Sequence, residues 1–540
     1  MRAMILAAGL GSRLKNITES IPKPLLKLNE EYRLIDIAVI NLLKAGITNI
    51  AVNLHYKGKL VKNYLLRQYP KIQWHFYPET ELLDTGGGIA NAGSFLSKSK
   101  DVIILNSDIL FFIDLKKFIT KHINSQFEAS LLIKPSKNQE RAICFNHQNV
   151  IRNIYNTKGI PINKSNSESR KQYGQFIGIQ IFKHQFLRYF KPGKYSSIKI
   201  FLEQIKNNSN LQALSIDRQY WVDAGTPANL NKARKDFQMF TKFYNPIDIN
   251  RIEKLNDGAS NQCCYRIYLK EKTEIIKTVK NNEAGRNLQN QNLFLQSNKL
   301  PVPLISKHYN NFLIMENAGK FSLLDKIKES GLTQPIYQKI IEQVLKLEKI
   351  TAEKIPTAIK KEIMTLDVIL IYKDLENFND NYFKNKLTEP ELQNLAGMID
   401  SYMQKFPLTL IHRDLQSTNI LINQTNDIKI IDWESMKIGY PIYDVAALLI
   451  DSYLPFNYDF IKSNLQYYLQ KTRFKYSEFD FWLMAFLRIT HDLGVFSTIG
   501  KNKKFFKDKI PAAEKRLAFV ISKLDKTNFI PDAIKLVFQT

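Results

Sequence analysis

Two groups of residues in this 540-residue chain have the types and spacings that chemistry on phosphates requires. Near the start, Ala8-Gly9-Leu10-Gly11-Ser12-Arg13 is followed by Pro22-Lys23-Pro24. Small residues let a backbone approach a nucleotide and offer N–H groups to its phosphates. Arg13 and Lys23 supply positive charge for a triphosphate. The Gly-Lys-Ser/Thr ending of the ATPase phosphate loop is missing. Bringing two anionic groups together also needs a divalent cation, and a hard ion such as Mg2+ prefers carboxylate oxygens. Asp108 and Asp223 are the natural pair. Far downstream, His412-Arg413-Asp414 precedes Asn419 at the interval used in phosphoryl transfer, where the Asp accepts the proton of the attacking hydroxyl and the Asn holds a metal. Asp432 is the second candidate metal ligand there, and Lys277 the candidate phosphate lysine. Within Asp257-Gly258-Ala259-Ser260, Gly258 and Ser260 would cover the ATP phosphates, and Met315-Glu316-Asn317 would lie beside adenine. The carboxylate partner of Lys277 is open, since Glu283 is close to it in sequence.

The elements needed to position these groups can be read from periodicity. In the first half, Ala3–Ala8, Asn49–Leu54 and Asp101–Leu105 read as strands, while Ile35–Ala45 and Gly58–Gln68 have helical spacing. This alternation predicts βαβ units and a mainly parallel sheet, with ligands beyond the carboxyl ends of its strands. Gly9–Gly11 and Asp108 both lie at such ends. Residues 151–172 are rich in Asn, Ser and Lys and read as loops. Trp221-Val222-Asp223-Ala224-Gly225-Thr226-Pro227 is another strand end followed by a helix over 228–243, and Asn245-Pro246 marks a boundary. The expected domains are 1–243 and 250–540. The second opens with strand-like segments, including Glu274–Val279, and is helical from about 320, apart from the strand pair Asn419–Ile422 and Ile428–Ile431 that flanks the site.

The N-terminal motifs resemble the sugar-nucleotide pyrophosphorylase family, whose signature is Gly-x-Gly-x-Arg followed by Pro-Lys-Pro. The resemblance implies a Rossmann-like nucleotidyltransferase domain over roughly 1–235, with Asp108 and Asp223 as the metal aspartates. Leu83-Asp84-Thr85-Gly86-Gly87-Gly88 resembles the Glu-Thr-Gly-Gly-Gly loop of N-acetylmuramate-1-phosphate uridylyltransferases, with Asp84 in place of Glu. It implies that Gly86, Gly87 and Gly88 offer backbone to the base and sugar. Mannose-1-phosphate guanylyltransferases share parts of this loop. The C-terminal motifs, with Gly439 and Asp444 in Gly-Tyr-Pro-Ile-Tyr-Asp-Val-Ala, resemble the aminoglycoside phosphotransferase and choline kinase superfamily, a protein-kinase-like fold. Asp-Gly-Ala-Ser and the late Leu493-Gly494-Val495-Phe496 followed by Gly500-Lys501 are similar to anomeric kinases of N-acetylmuramate and N-acetylglucosamine. His491 and Asp492 fall where they could touch the sugar, although such a His is more often structural.

Together the motifs imply an α/β protein with two activities. A kinase spends ATP on the anomeric hydroxyl, and a transferase uses UTP and Mg2+ to turn the resulting sugar 1-phosphate into a UDP-sugar, as in peptidoglycan sugar recycling. Asp414 is the expected base, and Arg13 and Lys23 the transferase's catalytic cations. One alternative is choline kinase fused to a phosphocholine cytidylyltransferase; the triple-Gly loop argues against it, as does the scarcity of aromatics near Asp432 to cage a quaternary ammonium. The other is a basic nucleic-acid-binding or regulatory protein on degenerate enzyme folds. The net charge is indeed +26, from 77 Lys and Arg against 51 Asp and Glu, but the lysines are spread along the chain and read as a solvated surface. Three cysteines, two of them adjacent, fit neither a disulfide framework nor a zinc spacing and suit a reducing cytoplasm. No apolar run approaches the ~18 residues of a membrane span. The expected partners are small-molecule sugar and nucleotide substrates, without membrane or nucleic acid.

Overall fold

The computed structural model describes the chain except residues 157, 159, 162–170, 208–209, 256–261, 320, 424, 502–503, 525–529 and 539–540, and the side chains of 15 and 16. Gly258 and Ser260, with the turn they belong to, therefore lie outside the described residues. The chain divides into two compact units, Met1–Asp257 with Cys263–Ile276, and Gly258–Gln262 with Lys277–Thr540.

The first unit is built on a nine-stranded sheet whose main path runs Leu211–Ser215, Ala129–Pro135, Gln172–Lys183, Asp101–Asn106, Arg2–Leu6, Asn49–Leu54, Gln73–Pro78. Arg2–Leu6 is central and nearly all apolar because both of its faces are covered; Ala3, Met4 and Ile5 are 0% exposed. It pairs in parallel with Asn49–Leu54 and Asp101–Asn106, with Leu6 opposite both Asn53 and Asn106. This register releases the Gly9 loop and the Asp108 loop at the same end of the sheet, as the alternating pattern requires. The sheet is mixed: the long strand Gln172–Lys183 runs antiparallel between Asp101–Asn106 and Ala129–Pro135. Ile151–Ile154 is a strand where composition predicts loop, because Ile151 and Ile154 are buried against the core beneath their polar neighbours. A separate antiparallel pair joins Ile109–Phe112 to Tyr220–Asp223. The helix Pro227–Thr241 follows, started by Thr226, whose side chain accepts the Asn229 N–H at 3.3 Å. Beyond the turn capped by Asn245 come the antiparallel strands Ile249–Lys254 and Cys264–Leu269.

In the second unit the hairpin Ile305–Tyr309/Phe312–Glu316 precedes a helical bulk. Short strand pairs Ile420–Ile422/Ile428–Ile430 and Thr409–Ile411/Lys437–Gly439 flank the His412–Asn419 segment. The core of this bulk is the 23-residue helix Glu478–Gly500, which starts with a Ser477–Asp480 capping box and is buried along most of its length. Gly494 sits where this helix meets Val368–Phe378: a Cβ there would lie 2.5 Å from the Asn377 side chain and 3.0 Å from the Phe378 backbone nitrogen. The glycine of the late Leu-Gly-Val-Phe motif thus sets a close helix–helix approach.

Candidate functional site

In the first unit, a cavity of ≈ 180 Å³ opens at the carboxyl ends of the parallel strands. Ala8, Gly9, Lys23 and Asp108 line it, together with Asp84 and Thr85. The Lys23 ammonium forms an ion pair with Asp108 Oδ2. Lys23 is buried, so its charge is aimed into the cavity instead of being spent on solvent. Asp223 lies opposite Ile109 in the strand pair, and the Ala224 N–H donates to the Asp108 carbonyl at 3.0 Å. The two aspartates therefore stand at the same end of one two-stranded ribbon. Asp223 Oδ1 also accepts the Gly225 N–H at 2.8 Å. A Cβ on Gly225 would fall 2.6 Å from Arg13 Nη2 and 2.8 Å from Asp223 Oδ1, so the missing side chain lets Arg13 and Asp223 meet. Gly11 has φ +69° and turns the loop above Thr18 and Lys23, a conformation that favours glycine.

The Gly86–Gly88 run departs from a backbone surface facing a ligand. Asp84–Asn91 is a helix, and all three glycines are buried in it. Cβ atoms at Gly86 and Gly87 would collide with Tyr195 and the Gly193 carbonyl, and one at Gly88 with Asn53. Asp84 and Thr85 are the residues of this run that line the cavity. Asn53, absent from the sequence motifs, ties the two walls together. Its Oδ1 accepts the Ala7 N–H at 2.8 Å and its Nδ2 donates to Glu79 Oε1 at 2.7 Å, while Glu79 Oε2 accepts the Leu83 N–H at 3.0 Å.

In the second unit, Asp414 is held at both carboxylate oxygens. Arg488 donates to Oδ1 at 2.8 Å, and Asn419 Nδ2 donates to Oδ2 at 2.8 Å. Arg488 also donates to the Arg413 carbonyl at 3.0 Å and pairs with Asp492 at 2.9 Å. Burial works to raise the Asp414 carboxyl, but the Arg488 charge, with those of His412 and His491, outweighs it and holds the group below the usual carboxylate range. Burial dominates at Asp492 and pushes it up to about 6 despite Arg488. The His412 and Arg413 N–H groups both donate to buried Asp444, at 2.7 and 2.8 Å. Burial still pushes Asp444 up to about 7. Arg413 has φ +68° and Asp432 φ +66°, left-handed conformations that residues with a Cβ seldom adopt and that cluster at functional sites. Lys277 pairs with Asp432 Oδ1 at 3.4 Å and with Glu434, so its carboxylates are the second metal-ligand candidate itself and a residue two positions later, while Glu283 is exposed in the first turn of its helix. Asn419 commits Nδ2 to Asp414, which leaves Oδ1 as its atom for a cation.

Arg488 is a member of this site that motif reading missed. Arg488 is 74 residues from Asp414 in sequence, and only the packing of the Glu478–Gly500 helix brings it there. A basic residue one helical turn before the flagged Asp492 was the available signal.

Residues 2–239 match the nucleotidyl transferase family model. Over 244 residues the chain is 30% identical to a D-glycero-alpha-D-manno-heptose 1-phosphate guanylyltransferase of Aneurinibacillus thermoaerophilus, spanning 44% of this chain and 100% of that relative. The chain belongs to the nucleotidyl transferase family. It carries a second domain as well, since residues 336–482 match the phosphotransferase enzyme family. This nucleotidyl transferase is also similar to a mannose-1-phosphate guanyltransferase of Hypocrea jecorina, 25% identical over 45% of this chain, although it spans only 64% of that relative. It spans 52% of a further heptose 1-phosphate guanylyltransferase, from Campylobacter jejuni, to which it is 36% identical over 22% of its own length. Among solved structures, HddC from Yersinia pseudotuberculosis is similar over 44% of this chain and 99% of that one, with 24% identity and a TM-score of 0.37. The relatives' names are guanylyltransferases, not muramate uridylyltransferases. Among the described residues, no helix is long and apolar enough to cross a membrane.

Proposed function

We propose that this nucleotidyl transferase, with its phosphotransferase domain, activates an amino sugar in two steps. The C-terminal domain, over about 250–540, phosphorylates the anomeric hydroxyl of N-acetylmuramate or N-acetylglucosamine with ATP. The N-terminal domain, over about 1–243, then joins that sugar 1-phosphate to a uridylyl group from UTP and releases pyrophosphate. The observation that carries this reading is the presence, on one chain, of two charged sites whose chemistry is sequential: one suited to make a sugar 1-phosphate, the other to consume it.

In the first step Asp414 accepts the hydroxyl proton as oxygen attacks the γ-phosphorus and ADP leaves. Its low proton affinity suits late proton acceptance, and the Arg488 and Asn419 bonds fix its direction. Lys277 offers charge to the ATP phosphates. In the second step no protein base is required, because the sugar phosphate is already an anion. Arg13 and Lys23 stabilise charge on the triphosphate, and Ala8, Gly9 and Gly11 shape the loop at its phosphates. Asp108 and Asp223 would hold Mg2+ at the transferase site, and Asn419 and Asp432 at the kinase site, since they offer the hard oxygen donors this ion takes. When bound, the ion would neutralise phosphate charge.

A second reading of the donor is favoured by the three relatives named above, which are guanylyltransferases: GTP in place of UTP. One assay separates these. The protein is incubated with ATP, Mg2+, one sugar and UTP, GTP or CTP in turn, and the products are weighed by mass spectrometry. UDP-N-acetylmuramate is the expected product. A GDP-sugar would replace the donor assignment, and consumption of choline with CTP would overturn the sugar reading.

A further inference from the structure

His491 is held by the protein at one ring nitrogen. Its Nδ1 bonds Asp374 Oδ1 at 3.0 Å, and Asp374 Oδ2 is bound by the Arg413 guanidinium. Asp374 is buried and Arg413 is buried, while the His491 side chain is 27% exposed. Three facts put this imidazole at the phosphoryl-transfer site. Arg413, which anchors its carboxylate partner, immediately precedes Asp414. Arg488, which holds Asp414, lies three residues before His491 and thus on the same helix face. The charge of a protonated His491 is close enough to lower the proton affinity of both Asp414 and Asp492. Among the described residues, Nε2 bonds no protein group.

Buried His412, by contrast, spends both nitrogens on protein partners, the Asp414 N–H and the Ile431 carbonyl. His491 spends one. A buried carboxylate fixes its ring and tautomer, and the other nitrogen remains accessible beside the base. That is the arrangement of a recognition group, held in one orientation before the ligand arrives. We propose that His491, oriented by Asp374, recognises the acceptor of the phosphotransferase: its Nε2 hydrogen-bonds a hydroxyl or amide group of the sugar next to the hydroxyl that attacks. The inference rests on the kinase reading of this domain. It adds the residue that distinguishes a polyhydroxylated acceptor from a quaternary amine, which offers no such partner.

The test uses the full chain, with N-acetylmuramate and N-acetylglucosamine as acceptors, and compares wild type with His491→Gln and His491→Ala. Loss of one oriented hydrogen bond should raise the acceptor KM about tenfold, with the ATP KM changed less than about twofold. Asp374→Asn, which keeps a side-chain carbonyl for Nδ1–H but loses the charge, should give a smaller rise in the same constant. A thermal shift on adding ATP and Mg2+ reports whether each variant retains its nucleotide site; a variant that fails this control is replaced by the other His491 substitution. An unchanged acceptor KM, or equal rises for acceptor and ATP, overturns the inference. If wild type phosphorylates no hydroxyl acceptor at all, the kinase reading itself fails, a result separate from an active wild type whose His491 variants are indifferent to the acceptor.

Discussion

The two sites handle their central carboxylate in opposite ways. In the first unit Asp108 has one side-chain partner among the described residues, the Lys23 ammonium, and both groups belong to the expected substrate-binding set. In the second, Asp414 is gripped by Arg488, Asn419 and Gln416, none of which needs to leave for a hydroxyl to approach. The difference follows from what each carboxylate must do. A proton acceptor benefits from a fixed direction, so preorganised bonds cost nothing during the reaction. On the proposed function Asp108 would exchange partners, with Lys23 turning from it to phosphate when a divalent ion binds. In that reading one site is built rigid, and the other keeps an internal counter-ion that substrate would displace.

The largest expected effect breaks the rigid side. Asp414→Asn removes the proton acceptor while keeping hydrogen-bonding shape, and should lower sugar phosphorylation by about 10³-fold. Nucleotidylyl transfer from supplied sugar 1-phosphate should be unchanged; parallel loss of both activities would mean that the two sites are not separate. Next comes the exchangeable side. Lys23→Met should lower nucleotidylyl transfer about 10²-fold, yet tighten Mn2+ binding measured without nucleotide, because Asp108 loses its competing ammonium. Weaker Mn2+ binding in this variant would contradict the displacement view. Gly225→Ala should have a smaller effect. Its methyl group would press on Arg13 Nη2 and Asp223 Oδ1, costing about 1–3 kcal/mol of stability, and transfer should fall about tenfold with kinase activity intact. Urea midpoints and separate activity assays measure both.

What could be read from the sequence divides along the same line. The strand Asn49–Leu54 and the helix Gly58–Gln68 match their periodic patterns to the residue, since short βα units carry their own signal. Local motifs also carry their own chemistry, so Lys23 and Asp108 could be named together although 85 residues separate them. The Arg488 grip on Asp414 was harder to read, because the partner of this one arginine on the helix is set by tertiary packing. Asn53 was hidden for the same reason. The glycines at 86–88 carry a different lesson: a glycine run signals close approach, but here what approaches is Tyr195, Gly193 and Asn53 of the same chain.

The smallest expected effect tests whether the rigid network is also a stability device. Burial alone would raise the Asp374 carboxyl, but His491 and Arg413 outweigh it, so the folded protein binds this proton more weakly than the unfolded chain. A group with a depressed folded pKa stabilises the fold fully above its unfolded value of about 3.9, and that contribution is lost as pH falls through the folded value. The urea-midpoint difference between wild type and Asp374→Asn should therefore be present at about pH 5 and shrink as pH drops below about 4. It should appear in the unfolding transition that ATP shifts. A difference that persists undiminished at low pH would mean that Asp374 acts through shape and hydrogen bonding alone, and that the charge linking Arg413 to His491 contributes nothing to holding the second site rigid.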